Sequence, residues 1–127
     1  MKRIYATGNA PAAIGPYSQG VEAGGFFFVS GQLPLQPNGT PVGEGIEEQT
    51  VQVLKNLKAI LVSAGYELKD VVKTTIFLRD LADFNAFNQV YSRFFLHEPP
   101  ARVCIQAAAL PRAVGVEIEA IACRRDD

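Results

Sequence analysis

Three side chains near the carboxyl end of the chain could together bind a small acid and move protons on it. Arg102 and Cys104 follow Pro99-Pro100 on one predicted strand, and Glu117 lies at the start of the next. A guanidinium can hold a carboxylate through two parallel hydrogen bonds, and a glutamate can exchange protons with water. On neighbouring strands, these groups would form a site for a small acid. Alternatively, Arg102 and Glu117 form a solvated cross-strand pair, which typically contributes only ~0.2–1 kcal/mol.

The hydrophobic pattern predicts an α+β fold in which both helices cover one face of a sheet. Alternation along the strands places Arg102, Cys104 and Gln106 on one face, and Glu117 and Glu119 on one face of the following strand. The last two predicted strands, 101–109 and 116–123, are expected to pair as a hairpin. The predicted strands are 2–6, 19–23, 26–31, 72–79, 101–109 and 116–123, and the predicted helices are 46–64 and a second beginning near residue 83.

The second face of this sheet would have no cover within the chain. Its strands are apolar on both faces in places, as in Phe26-Phe27-Phe28-Val29 and Ala107-Ala108-Ala109. Large exposed apolar surfaces usually mark a site of association. We therefore expect a homo-oligomer in which sheets face one another.

Composition narrows the classes of protein that fit. A chain of 127 residues is predicted to form one domain, 1–127, and a net charge of −1 without a basic face disfavours nucleic-acid binding. No apolar run approaches the ~18 residues of a membrane-spanning helix, and no secretory signal follows Met1-Lys2-Arg3. We expect a cytoplasmic protein in which Cys104 and Cys123 remain reduced thiols, too far apart in sequence to make a metal site.

Other catalytic arrangements find little support. Residues 15–20 lack the spacing of a phosphate-binding loop, and the single histidine, His97, is expected in a solvated loop rather than in a triad or a metal site. Cys104 is either a small apolar residue or a polar contact; as a nucleophile it would need a lowered pKa, which Arg102 could help to provide. The hydroxyls of Tyr17 and Ser30 could satisfy backbone groups or orient a ligand.

Four segments in this order resemble the Rid/YjgF family over almost the entire chain. The Arg-x-Cys pattern at Arg102 and Cys104, with the later Glu-x-Glu, resembles the RidA subgroup in particular. Members of that subgroup hydrolyse reactive enamine and imine intermediates that pyridoxal-phosphate enzymes release. The segments are Asn9 to Gly20, Val29-Ser30-Gly31-Gln32, Pro100-Ala101-Arg102-Val103-Cys104 and Val116-Glu117-Ile118-Glu119-Ala120-Ile121-Ala122.

The resemblance implies a chorismate-mutase-like α+β fold, with an antiparallel-rich mixed sheet, assembled as a trimer with three clefts between subunits. It implies hydrolysis of 2-iminobutanoate and 2-iminopropanoate to 2-ketoacids and ammonia, with no metal or organic cofactor. In this assignment Arg102 holds the substrate carboxylate and Glu117 handles the water and the protons. The other positions implied to line the cleft are Tyr17, Ser30, Gly31, Asn88 and Cys104. Residues 95–100 form a shorter connection than is usual in the family, which bears on cleft access and substrate preference.

Other functions remain open from the sequence, among them a chaperone-like role, which has no sequence signature. A non-catalytic trimer could bind small carboxylates such as 2-ketoacids as a metabolic sensor, for which Arg102 would serve equally well. A ribonuclease or translation inhibitor acting on single-stranded RNA, an activity attributed to some relatives, is disfavoured by the near-neutral charge and the absence of a basic, aromatic-lined groove.

Overall fold

The computed structural model describes residues 1–124, which form one mixed sheet of six strands and two helices. The predicted α+β class is confirmed, and every pair of neighbouring strands is antiparallel except β4 and β5. The strands lie side by side in the order β1-β2-β3-β6-β4-β5. The elements in chain order are β1 (Arg3–Tyr5), β2 (Gly20–Ala23), β3 (Phe26–Gln32), α1 (Ile46–Ser63), β4 (Val71–Leu78), α2 (Phe84–Phe94), β5 (Ala101–Gln106) and β6 (Val116–Cys123).

Local sequence signals set several of these boundaries. Gly24 and Gly25 take positive φ angles of 59° and 83° between β2 and β3, as a two-residue hairpin turn requires. Gly65, with φ of 83°, ends α1 as predicted. Neither helix in the described part of the chain is long and apolar enough to cross a bilayer.

The predicted hairpin of β5 and β6 is wrong. β5 pairs only with β4, in parallel, and β4 separates it from β6. A parallel pair needs a crossover connection, and α2 supplies it between β4 and β5. Arg102 and Glu117 therefore do not lie on neighbouring strands.

Both helices cover the same face of the sheet, as predicted, and the core lies beneath them. Alternate residues of the central strands point into this core, so that strand positions of period two pack against the apolar stripes of α1 and α2. Fully buried side chains of the core include Phe27, Leu54, Leu57, Ile60, Leu61, Ile76, Leu78, Phe87, Val116 and Ile118.

The opposite face of the sheet, which we call the open face, carries exposed apolar side chains. Phe26 and Phe28 of β3 and Val103 and Ile105 of β5 are each between 43% and 45% exposed. The strand register places these four on the same face as Glu117, away from the helices. Surfaces of this kind typically bind another protein surface.

Candidate functional site

Arg102 lies on the helix-covered face, held between aromatic rings of α2. Its register partner Thr74 is fully buried, which places the arginine on the side of the helices. Its guanidinium carbon lies 4.9 Å from the ring centroid of Tyr91 and 5.5 Å from that of Phe84. These are cation–π distances. The Tyr91 hydroxyl shares a buried 2.7 Å hydrogen bond with Thr74 Oγ1, so the ring beneath the arginine is itself fixed.

Asn88 and Cys104 accompany Arg102. Asn88 is one helical turn after Phe84 and three residues before Tyr91, which places all three on one side of α2. Cys104 shares the face of Arg102 and packs partly against the core. Arg102, Asn88 and Cys104 are named the arginine half below.

The environment of Cys104 bears on whether its thiol could meet the condition for a nucleophile, which is a lowered pKa. Burial raises the pKa of the thiol, and the opposing effect of the Arg102 charge is smaller. The effect of burial on the thiol pKa therefore outweighs the lowering by the Arg102 charge. A partly buried thiol with a raised pKa is a poor nucleophile, so this environment favours an apolar or weakly polar contact over a nucleophilic role for Cys104.

Ser30 and Gly31 lie in an irregular stretch of β3. The register of β3 against β6 shifts between Val29 and Gln32, which is a β-bulge. Ser30 Oγ donates a 2.5 Å hydrogen bond to the carbonyl oxygen of Ser18, and this ties the bulge to the preceding loop. A Cβ atom on Gly31 would lie only 2.1 Å from Glu117 Oε2, so the carboxylate rests where only glycine leaves room.

Glu117 is a half-buried carboxylate on the open face. Burial raises its pKa above the ordinary 4.5, and the charge of Glu119, two residues away on the same face, raises it further. Within residues 1–124 its carboxylate makes no hydrogen bond or ion pair. A carboxylate whose pKa is displaced toward neutrality can both accept and donate a proton.

A cavity of about 680 Å³ opens beside Glu117. Tyr17, Ser30, Gly31 and Glu117 all line it, and we call these four residues the glutamate half. The remaining walls come from the loops before β2 and after β3, from a short 3-10 turn before β6, and from Gln32 of β3 and Glu119 of β6. Those further lining residues are Pro11, Ala12, Ile14, Gln19, Gln32, Leu33, Leu35, Pro37, Asn38, Gly39, Pro111, Arg112 and Glu119.

Buried Gln19 holds one wall of the cavity in place. Its Oε1 accepts a 2.7 Å hydrogen bond from the Thr7 amide, while its Nε2 donates to the carbonyl oxygens of Thr7 at 3.1 Å and Pro11 at 2.8 Å. A side-chain amide that satisfies a loop in this way fixes the loop without secondary structure. Sequence reasoning missed Gln19, although its place directly after Tyr17-Ser18 was a usable signal.

The two halves do not meet within one chain. Glu117 pairs with Phe77 on β4 and faces away from the helices, whereas Arg102 pairs with Thr74 and faces them. The Arg102 guanidinium and the Glu117 carboxylate therefore lie on opposite sides of the sheet, with β4 between their strands. Each half is chemically incomplete alone, because one can bind an acid and the other can move protons.

The remaining predicted features lie outside both halves. His97 is exposed in the loop between α2 and β5. In the described range, no group of three or more His, Cys, Asp or Glu side chains is arranged to hold a metal ion.

Comparisons with known proteins agree with this architecture. The family model described as endoribonuclease L-PSP matches residues 7–124. A RutC family protein of Saccharolobus solfataricus is 51% identical over 123 residues, covering 96% of this chain and 98% of the relative. The 2-iminobutanoate/2-iminopropanoate deaminase of Salmonella typhimurium is 48% identical over 128 residues, covering 98% of this chain and 100% of the relative.

A solved structure extends the comparison to three dimensions. The crystal structure of E. coli TdcF with bound serine matches with a TM-score of 0.93 at 44% identity, covering 97% of this chain and 99% of that one. Both sequence and structure therefore agree over nearly the whole length. The chain belongs to the Rid/YjgF family, whose domain is the one described as endoribonuclease L-PSP.

Proposed function

We propose that this protein is a homotrimeric hydrolase of the RidA subgroup, which deaminates 2-iminobutanoate and 2-iminopropanoate to 2-ketoacids and ammonia. The arginine half of one subunit joins the glutamate half of the next in each of three intersubunit clefts. The observation that carries the proposal is the placement of Arg102 and Glu117 on opposite faces of one sheet. A second subunit is the simplest source of the missing partner for each half.

The open face supports the association. Its exposed Phe26, Phe28, Val103 and Ile105 would be buried by a neighbouring subunit, and burial of apolar area contributes roughly 25 cal/mol per Å². In a head-to-tail ring that closes after three copies, each subunit pairs its arginine half with one neighbour and its glutamate half with the other. The cation and the carboxylate would then face each other across the interface.

Substrate binding falls to Arg102 in this proposal. Its guanidinium offers a planar fork for the substrate carboxylate, while the rings of Phe84 and Tyr91 fix the direction of the fork. Asn88 and Cys104 border the bound carboxylate. A held carboxylate leaves the neighbouring iminium carbon in one orientation, which removes much of the entropic cost of reaction.

Glu117 manages the water and the protons. The iminium carbon is already electrophilic, so a water oxygen adds to it as the Glu117 carboxylate takes one water proton. The protonated Glu117 then returns that proton to the amino group, the carbon–nitrogen bond breaks, and the hydroxyl proton is released as the ketone forms. One imino acid and one water thus give one 2-ketoacid and ammonia. An enamine enters the same route after it tautomerises to the imine.

The substrate class rests on similarity. The Salmonella relative at 48% identity carries the deaminase name, and the TdcF structure contains bound serine, an α-amino acid close in size to the proposed substrates. The proposal requires no metal or organic cofactor. We also propose that the protein acts in the cytoplasm, where the free cysteines Cys104 and Cys123 would remain reduced.

The direct test forms 2-iminobutanoate or 2-iminopropanoate in situ and follows ammonia release with and without the protein. Semicarbazide, which traps the imine, reports how much imine remains. The proposal predicts faster ammonia release and less trapped imine in proportion to protein concentration. Rates identical to the uncatalysed reaction would contradict it.

The non-catalytic sensor is separated from the enzyme by Glu117→Gln. The enzyme predicts a turnover loss of roughly 10²–10⁴-fold, the range for a positioned acid or base, with a smaller loss in binding of an unreactive 2-ketoacid. If the protein is a sensor, the wild type has no turnover, and the substitution therefore changes none. The raised pKa of Glu117 favours the enzyme, because a binding site for an acid gains nothing from a nearby buried carboxylate.

A further inference from the structure

The cavity of the glutamate half contains a cation that the proposed reaction does not use. Among the described residues that line the cavity, Arg112 alone is positively charged. It lies in the turn before β6, and the turn residues Arg112 and Ala113 have left-handed φ angles of 59° and 53°. Consecutive non-glycine residues in this region are uncommon, and such backbone is concentrated at functional sites.

Arg112 and Glu117 lie against different parts of the backbone that lines the cavity. The Glu117 carboxylate rests against Gly31, whereas Arg112 Nη1 lies 3.3 Å from the carbonyl oxygen of Gly39, in the loop after β3. This long contact to an exposed carbonyl occupies one of the five N–H donors of the guanidinium.

Much of the cavity wall is apolar. Ile14, Leu33, Leu35 and Pro111 line it, and the cavity volume of about 680 Å³ falls within the roughly 300–1,000 Å³ of pockets that hold drug-sized ligands. A four-carbon imino acid occupies only a small part of that space. The cavity therefore has room for a longer side chain that runs from the reacting carbon toward Arg112.

We propose that Arg112 is a specificity-determining residue that binds an anionic group at the end of the substrate's side chain, so that the site accepts dicarboxylic imino acids. This inference rests on the proposed function, because it places the reacting carbon beside Glu117. The α-carboxylate would bind Arg102 of the neighbouring subunit, and the side-chain carboxylate would bind Arg112. Without Arg112, the charged side chains that line this subunit's cavity would be the carboxylates of Glu117 and Glu119, which would repel a second carboxylate on the substrate's side chain.

The test compares two unreactive five-carbon ligands, 2-oxoglutarate and 2-oxopentanoate, by calorimetric titration at fixed ionic strength. They differ at the far end, where one has a carboxylate and the other a methyl group. Arg112→Gln should lower the affinity for 2-oxoglutarate relative to 2-oxopentanoate by roughly 10–100-fold, the loss expected for hydrogen bonds to a charged group. Arg112→Lys should recover part of this ratio. Arg93→Gln, on the exposed end of α2, makes the same charge change elsewhere and should leave the ratio as in the wild type.

Three outcomes would overturn the proposal. The first is an unchanged ratio in folded Arg112→Gln with both affinities retained, and the second is the same unchanged ratio with both affinities lowered equally, which would indicate a structural role. The third is a wild type that already rejects 2-oxoglutarate more than tenfold. Should Arg112→Gln fail to fold, Arg112→Asn serves instead, because asparagine tolerates left-handed backbone. Ligand binding is measured without catalysis, so a failure of imine hydrolysis and a failure of Arg112 selectivity are distinguishable.

Discussion

The arginine half is built on regular secondary structure, whereas the glutamate half is built on irregular backbone. Arg102 projects from β5 onto rings of α2, and the Tyr91 ring is fixed by a buried hydrogen bond. Glu117 instead depends on a bulge, on the bare backbone of Gly31 and on loops held by Gln19. In the proposed function, the group that binds is thus fixed by core packing, and the group that reacts is fixed by local backbone. The two halves should consequently fail in different ways when they are altered.

The arginine half should fail through loss of charge. Arg102→Ala should lower kcat/KM for carboxylated imines by roughly 10²–10³-fold, the cost of leaving one member of a buried charge pair without its partner. Lysine should rescue poorly, because it cannot reproduce the planar fork. Steady-state kinetics on 2-iminobutanoate measures the effect, with the exposed Arg93→Ala as the matched control. Near-normal activity of Arg102→Ala would remove the proposed substrate orientation.

The glutamate half should fail through displacement. Gly31→Ala places a methyl group where Glu117 Oε2 now lies, so the carboxylate must move, and turnover should fall by roughly 10–100-fold, as for small misplacements of reacting groups. Ketoacid binding through Arg102 should change less. Gly8→Ala is the control, because nothing lies within 4 Å of a Cβ at Gly8. Unaltered turnover in Gly31→Ala would show that the position of Glu117 is not critical.

The smallest effect concerns pH. The raised pKa of Glu117 means that the basic carboxylate forms only above the ordinary 4.5, so activity should fall as pH decreases through that raised value. Glu119→Gln removes a neighbouring negative charge and should move this acid limb to lower pH. The limb should still lie above 4.5, because burial is the larger cause. A profile of kcat/KM against pH that is identical in Glu119→Gln and wild type would contradict this coupling.

The sequence predicted elements better than it predicted their neighbours. The alternation of β6 and the apolar stripe of α1 gave bounds that match the structure at 116–123 and within one residue at 46–63, because those signals are local. The pairing of β5 with β4 was missed, since alternation identifies strands and faces without specifying their partners. The order strand, helix, strand from β4 through α2 to β5 was the available signal for a parallel crossover.

The site shows the same limit. The residue types and their spacing identified Arg102 and Glu117 as chemically interesting, but only the sheet order shows that they lie on opposite faces of one chain. No pattern in the sequence singles out Arg112 as a site residue. Its position on the cavity depends on a left-handed backbone that Pro111 and its neighbours do not specify from sequence.

The central claim is that each site takes Arg102 and Glu117 from different subunits, and subunit mixing tests it most directly. Arg102→Ala and Glu117→Gln proteins, each nearly inactive and differently tagged, are unfolded together, refolded and purified as mixed trimers. In a closed ring of three, every mixed trimer has one interface of its three that joins an intact arginine half to an intact glutamate half, so the account predicts recovery of about one third of wild-type activity. Mixed trimers no more active than the separate variants would contradict the account.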